Sequence, residues 1–372
     1  MSTSNSRVLF LAALALAWLA GGAAAQDGLN TEIAFPPESP VSVVSADWGT
    51  SRATPRGGAL LVDVHTSLKL RNSSENRIRG ITLLVLAQEV TPGGKASVSV
   101  PSLDVGPGEI FPVRVDLRLL RPLQRGSGPL VKVGLDGVLF DDLSFFGPNR
   151  LNSRRSMTVW ELQARRERSY LKGILAARGP EALRQEILLS LARQAERPRM
   201  KIQVARSARA TNLETAEQRR LTFLHLPGAP VRPIAGLARV AGREAQAPEF
   251  EMENLSKREV KHFELGWIIE DVDGHRFVAG SVPADVRLAP GARSRVAPQR
   301  VLRFSRPLMV KSMSAYVSQV EFENGDLWIP SRKELAGQGL DRLVPPSPEE
   351  QRLTNLYRKK GIKALIAALA KF

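Results

Sequence analysis

Apolar and polar residues alternate with period two over much of this chain and with a period near 3.6 in two shorter stretches. In Leu60–Leu70, positions Leu60, Val62, Val64, Leu68 and Leu70 are apolar, whereas Asp63, His65, Ser67 and Lys69 are polar. That is a strand with one buried face. Glu249–Glu253 alternates the same way around Phe250 and Met252. The strands that follow, Ile81–Ala87 and Phe263–Ile269, are apolar on nearly both faces, as central strands are. Pro92-Gly93-Gly94, Pro107-Gly108, Asp273-Gly274, Pro290-Gly291 and Asn324-Gly325 supply turn chemistry between them.

These landmarks recur in order. Leu68–Pro148 aligns with Phe250–Pro330: Asn72-Ser-Ser with Asn254-Leu-Ser, and Ile78, Ile81, Leu83 and Val85 with Val260, Phe263, Leu265 and Trp267. Val105-Gly-Pro-Gly108 matches Leu288-Ala-Pro-Gly291, and Arg118–Leu123 matches Arg303–Leu308. Val138-Leu-Phe140 and Phe145–Pro148 match Val320-Glu-Phe322 and Leu327–Pro330. Shifts of one or two residues fall at turns. A duplicated β unit of this size predicts two tandem immunoglobulin-like or fibronectin-like β-sandwiches.

The helical period occupies the rest. Thr158-x-x-Glu161 predicts a capping box, followed by Trp160, Ala164, Leu171 and Leu175 on one face. Gly179-Pro180 closes that helix and opens another, whose stripe is Leu183, Ile187, Leu188 and Leu191 before Pro198. Lys201–Ala205 and Leu221–Leu226 are expected to open the second sandwich. Ser347-Pro348-Glu349-Glu350 caps a tail helix with Leu353, Leu356, Tyr357, Leu365 and Leu369 on its stripe and Gly361 as its weak point. The fold class is thus mainly β with a helical insert. Its expected parts are a leader at 1–25, a first β-sandwich at 26–149, a helical hairpin at 150–198, a second β-sandwich at 199–334, and a linker with an amphipathic helix at 335–372.

Arg7, the apolar run Val8–Ala20 and Ala23-Ala24-Ala25 make a secretory signal peptide, with cleavage expected before Gln26. No later segment has the ~18 uninterrupted apolar residues of a membrane span. The chain has no cysteine, which excludes disulfides, a thiol nucleophile, a zinc–thiolate centre and a lipoprotein anchor. The expected location is periplasmic or extracellular. The formal charge is +16, or +15 without Arg7. Residues 150–199 carry 12 basic and 5 acidic side chains. Arg165, Arg166, Arg168 and Lys172 cluster opposite the Trp160 face, and the tail helix adds Arg358, Lys359, Lys360, Lys363 and Lys371. Such a face suits an anionic surface, so these four residues are the candidate polyanion-binding set.

Candidate chemistry is sparse. His65, His225, His262 and His275 are scattered, and the sequence has no G-x-S-x-G, H-E-x-x-H or P-loop. Asp271-Val-Asp273-Gly274 lacks the third carboxylate and closing Glu of a calcium loop and is expected to be a hairpin turn. The sequons at Asn72 and Asn254 share one repeat position, so a shared structural role in a turn is expected rather than a glycan. Trp267 and Trp328 are expected in the cores. No catalytic residue, metal or cofactor is predicted.

Asn254-Leu-Ser, Phe263-Glu-Leu-Gly-Trp-Ile-Ile, Asp273-Gly274 and Leu288-Ala-Pro-Gly291 together resemble the FxLYD type of bacterial envelope sandwich unit, although the literal F-x-L-Y-D string is absent. The whole chain also resembles exported proteins of soil bacteria. The resemblance implies no catalytic residues. The expected function is a non-enzymatic envelope module that binds a protein partner or an anionic polymer, with nucleic acid disfavoured. The alternative is an accessory subunit or a hydrolase with a site assembled from scattered carboxylates.

Overall fold

The computed structural model describes residues 30–88, 93–123, 129–198, 202–206, 217–242, 244–297, 300–305 and 307–372. The expected leader lies outside them. The first unit contains β1 (Thr31–Ala34), β2 (Val41–Asp47), β3 (Arg52–Arg56), β4 (Ala59–Asn72), β5 (Ile78–Leu86), β6 (Lys95–Val100), β7 (Ile110–Pro122), β8 (Val131–Phe140) and β9 (Phe145–Phe146). One sheet runs β1-β8-β5-β6 with β9 on β8; the other runs β2-β4-β3 with β7 along the opposite edge of β4. Alternation decides what enters the core. Val62, Val64, Leu68 and Leu70 of β4 are 0% exposed. They share one cluster with Phe111 and Val113 of β7, Ile81 and Leu83 of β5, and Val131 and Val133 of β8. Both sheets therefore bury their apolar faces in the same core.

After the long helix α1 (Ser153–Glu196) come β10 (Ile202–Arg206), β11 (Glu217–Phe223), β12 (Val231–Ala241), β13 (Glu244–Asn254), β14 (Val260–Asp271), β15 (Arg276–Leu288), β16 (Arg293–Val296), β17 (Arg300–Phe304), β18 (Val310–Phe322) and β19 (Leu327–Trp328). Their order is β10-β17-β13-β12-β11-β18-β14-β15, with β16 on β13 and β19 on β18. Strand β11 joins the two halves of this sheet: Glu217–Arg220 pairs with β12, and Leu221–Phe223 runs parallel to β18. Strand β12 was not among the expected opening strands; its Pro233 sits at a register shift in the β12–β13 ladder, where a strand tolerates proline.

The duplication holds at the level of register. In the first unit the β5–β8 ladder slips between Ile78/Gly80 and between Thr82/Leu83. In the second, β14–β18 slips between Val260/His262 and between Glu264/Leu265, the equivalent places. The expected core pairs agree: Leu68, Leu70, Ile81, Leu83 and Val85 are 0% exposed, and Phe250, Met252, Phe263, Leu265 and Trp267 are 2% exposed or less. Phe250 meets the Phe263 ring edge-on at 5.9 Å, a contact that adds ~0.5–1.5 kcal/mol to area burial.

The chain ends with α2 (Arg332–Gly337), a 3-10 turn (Leu340–Arg342) and α3 (Pro348–Ala370). Among the described residues, no helix is long and apolar enough to cross a membrane. The start of α1 differs from expectation. Thr158 lies inside the helix, and its hydroxyl donates to the Arg154 carbonyl at 2.8 Å instead of capping. The true start is set earlier. The Asn149 carboxamide accepts from Arg154 N–H at 2.9 Å, and the buried Asp136 carboxylate accepts from Arg150 N–H at 2.9 Å and Ser153 Oγ at 2.6 Å. Ser347 does cap α3, accepting from Glu350 N–H at 3.1 Å.

Candidate anion-binding site on the helical junction

Helices α1 and α3 each double back at a glycine. Gly179 has φ 78° and ψ −177°, and Gly361 has φ 75° and ψ −174°. A side chain is disfavoured at such positive φ, so glycine ends one arm and frees the next. Arg332 shows the first turn-back: it reaches Glu167 at 3.0 Å on one arm of α1 and Glu186 at 2.9 Å on the other. Arg168 shows the second, lying 3.6 Å from Glu349 and 3.9 Å from the centroid of the Phe372 ring, at opposite ends of α3.

The two hairpins are themselves equivalent. Gly179 and Gly361 are separated by the same 182 residues as Asn72 and Asn254. Leu171, Leu183 and Ile187 correspond at that spacing to Leu353, Leu365 and Leu369, and all six lie in one shared cluster. Contacts between the hairpins are reciprocal. Ser190 Oγ bonds Glu350 at 2.5 Å; the equivalent positions, Phe372 and Arg168, also meet. The duplicated unit is therefore a β unit plus a helical hairpin, and the two hairpins pack together about a local twofold. The tail helix, expected as a separate appendage, is half of this junction.

The four candidate basic residues do not share one surface. Arg168 is 4% exposed and pairs with Glu161 at 2.7 Å and with Glu349. Its charge is consumed inside the junction. Arg165, half-exposed, bonds Glu161 at 3.0 Å and the Asp141 carbonyl. Arg166 turns the other way and donates to the Pro330 carbonyl. Lys172 is exposed. Successive helical positions point ~100° apart, so neighbours in sequence separate in space.

The exposed cations collect instead at the apex of the hairpins. Arg178, Arg184, Arg358, Lys359, Lys360 and Lys363 are exposed around the two glycine turns. The acidic residue among them is Glu181, which pairs with Arg184 at 3.5 Å. The two turns adjoin, with Pro180, Arg184, Tyr357, Arg358 and Ile362 lining the groove between them.

Other residues singled out in the sequence have structural partners. Asn72 and Asn254 are 0% exposed. The Asn254 amide donates to the carbonyls of Arg258 and Leu288, both at 2.8 Å, and its oxygen accepts from Ser256 N–H at 2.9 Å and Oγ at 2.7 Å. Asn72 repeats the pattern with Asn76, Val105 and Ser74. Asp271, Asp273 and His275 bring ligand atoms within 4.8 Å of one another. The Asp271 carboxylate is already engaged by Asp273 N–H at 3.1 Å and His275 N–H at 2.8 Å, which builds the expected turn. His65 is half-exposed and 3.0 Å from Asp116. His225 is exposed.

His262 was missed as an interior residue. It is 0% exposed and lies 2.7 Å from Asp285 and 3.5 Å from Glu264. Arg155 of α1 bridges from there to Glu321 at 2.5 Å, fastening helix to sheet. The repeat alignment places His262 at Gly80, which abuts Met157 of α1; helix contact at this position was legible only once the hairpins were seen.

No family model matches the chain, and no curated protein matches it. Among solved structures, a β-glucosidase from Kluyveromyces marxianus has 8% identity and a TM-score of 0.16, over 65% of this chain and 40% of that one. A structure titled pT26-6p has 8% identity and a TM-score of 0.16, over 88% and 72%. Red sea bream transglutaminase has 10% identity and a TM-score of 0.12, over 75% and 31%. The chain thus spans less than half the length of the β-glucosidase.

Proposed function

We propose that this chain is an exported, non-enzymatic envelope protein that binds an anionic envelope polymer through the apex of its paired helical hairpins. In this reading the two β units are immunoglobulin-like or fibronectin-like sandwiches of the FxLYD type. The first unit's two sheets, feeding one core, support that assignment. The hairpins fix the units to each other and project the apex.

The observation that carries the proposal is the apex charge: six exposed cations around two adjoining turns, with Glu181 against them. Exposed cations of this kind attract a polyanion without insertion, and the attraction weakens as the Debye length contracts from ~10 Å at 0.1 M salt to ~3 Å at 1 M. The mature chain, expected to begin at Gln26, should co-sediment with isolated envelopes at low salt and be released at high salt. Replacing Arg178, Arg358, Lys359, Lys360 and Lys363 by Gln should reproduce the release at low salt, because at roughly 1 kcal/mol per cation near an anionic surface the five together matter. Arg165→Gln with Lys172→Gln serves as the comparison. A folded apex variant that sediments like the parent chain would refute the proposal. N-terminal sequencing of the exported protein tests the leader separately; an intact Met1 on a soluble cytoplasmic product would remove the envelope from the reading.

A further inference from the structure

The two halves of the molecule differ at one place where their equivalence makes the difference informative. In the β5–β8 ladder Leu84 faces Gly134. At the equivalent position of β14–β18, Gly266 faces Tyr316. Large and small have changed sides. Gly266 is required by the ring, since a Cβ there would stand 2.5 Å from Tyr316 Cε1 and 2.7 Å from its hydroxyl. Tyr316 is 4% exposed, yet no residue of the described chain hydrogen-bonds its hydroxyl. The ring is buried, but Tyr316 borders a cavity, so a hydroxyl with no partner in the chain is presented to that space in one copy and not in the other.

The second difference lies beside it. In the first half the chain passes from β9 into α1 within a few residues. In the second half α2, the 3-10 turn and Pro345-Pro346-Ser347-Pro348 intervene between β19 and the hairpin. This detour leaves a cavity of about 120 Å³ whose walls include Arg166, Tyr316, Ser318, Arg332, Asp341 and Glu350. Arg332 and Arg193 are neutralised there by Glu167 and Glu186. Arg166 is not. It donates to the Pro330 carbonyl, and among the described residues no carboxylate lies within ion-pair distance of it. Burial pulls its pKa down, against the partial support of Glu167.

We propose that this cavity binds a compact carboxylate bearing a second hydrogen-bond donor, such as a small α-hydroxy or α-amino acid. The planar guanidinium of Arg166 matches a carboxylate in shape and charge, and the Tyr316 hydroxyl supplies a further donor. Asp341 and Glu350 provide acceptors for the ligand's own hydroxyl or ammonium. The volume fits such a molecule: one water requires ~10–15 Å³, so the space exceeds a single solvent molecule several-fold. The site lies at the base of the hairpins, away from the apex, and does not depend on the apex binding anything.

The test is calorimetric titration of the full mature chain with L-alanine, L-lactate and propionate at constant ionic strength. Saturable one-to-one binding of alanine or lactate, with propionate at least tenfold weaker, is expected. Arg166→Gln should weaken binding at least tenfold, and Tyr316→Phe should weaken it several-fold while keeping the ring packed on Gly266. Circular dichroism checks that each variant is folded, and the phenylalanine variant carries the test if the glutamine variant is not. Absence of saturable binding by both alanine and lactate would overturn the proposal. So would propionate binding as tightly as either, or unchanged affinity in folded variants.

Discussion

Replacing Asn254 by Ala removes four hydrogen bonds at once from a side chain that is 0% exposed. The Leu288 and Arg258 carbonyls each lose a donor at 2.8 Å, and Ser256 loses its acceptor for both N–H and Oγ. Arg258 and Ser256 sit on an exposed or half-exposed turn and can rebond to water. The Leu288 carbonyl keeps its ladder pairing with Val260, as the Val105 carbonyl keeps the Ile78 N–H at 2.9 Å, so the cost is that of four lost bonds at ~0.5–1.5 kcal/mol each. The expected loss is therefore roughly 2–6 kcal/mol, a large fraction of the 5–15 kcal/mol typical of a domain. Asn72→Ala breaks the same four bonds in the first unit and should lose a similar amount. Urea denaturation followed by tryptophan fluorescence separates the two: Trp267 is buried in the second core, and Trp48 packs against the first. A loss below ~0.5 kcal/mol in both variants, or a large loss in one alone, would refute the shared role assigned to these amides.

Three further outcomes are expected. Leu265→Ala, at a 0% exposed position, should cost ~2–5 kcal/mol by urea denaturation; a value under ~1 kcal/mol would place β14 at the surface. Arg168→Ala removes the cation shared by the buried carboxylates of Glu161 and Glu349, which keep Arg165 and Arg352 respectively, so ~1.5–3 kcal/mol of stability should be lost, whereas a surface-binding arginine would be removed at little cost. Acid should destabilise the protein. Hydrogen bonds from Arg118 to Asp63, from Arg232 and Arg293 to Glu253, and from Asn324 and Arg258 to Asp326 hold these carboxyls below their ordinary values of 3.8 and 4.5. Depressed folded pKa values give stability that is present above the ordinary values and lost as pH falls below them. Burial raises Glu167 and opposes this trend in part; urea midpoints that rise from pH 5 to pH 3 would show that Glu167 dominates.

The β units were legible because their signals are local. Period-two alternation chose the buried faces of β4 and β13, and Asn72 and Asn254 marked equivalent turns. The hairpins were half-legible. Gly179-Pro180 announced the first, but Gly361 read as a weak point rather than a turn. A helix needs apolar residues at only a few spaced positions to pack, so the two hairpins kept their leucines and glycines and diverged elsewhere. Their equivalence could have been found by carrying the repeat spacing past Pro330.

Charge was the poorest guide to the site. The sequence gathered Arg165, Arg166 and Arg168 within four positions, and the helix sent them toward Glu161, toward Pro330 and into a buried ion pair. The Leu84–Gly134 and Gly266–Tyr316 exchange was equally hidden, because it exists only across a ladder. By itself the sequence determined which residues are inside each strand and where the chain turns, since those depend on neighbours a few positions away. The tertiary structure alone decided which charges are neutralised, which remain exposed and where a cavity opens. Those depend on side chains that meet from distant segments, and their energies change sign with burial and with the partner they find.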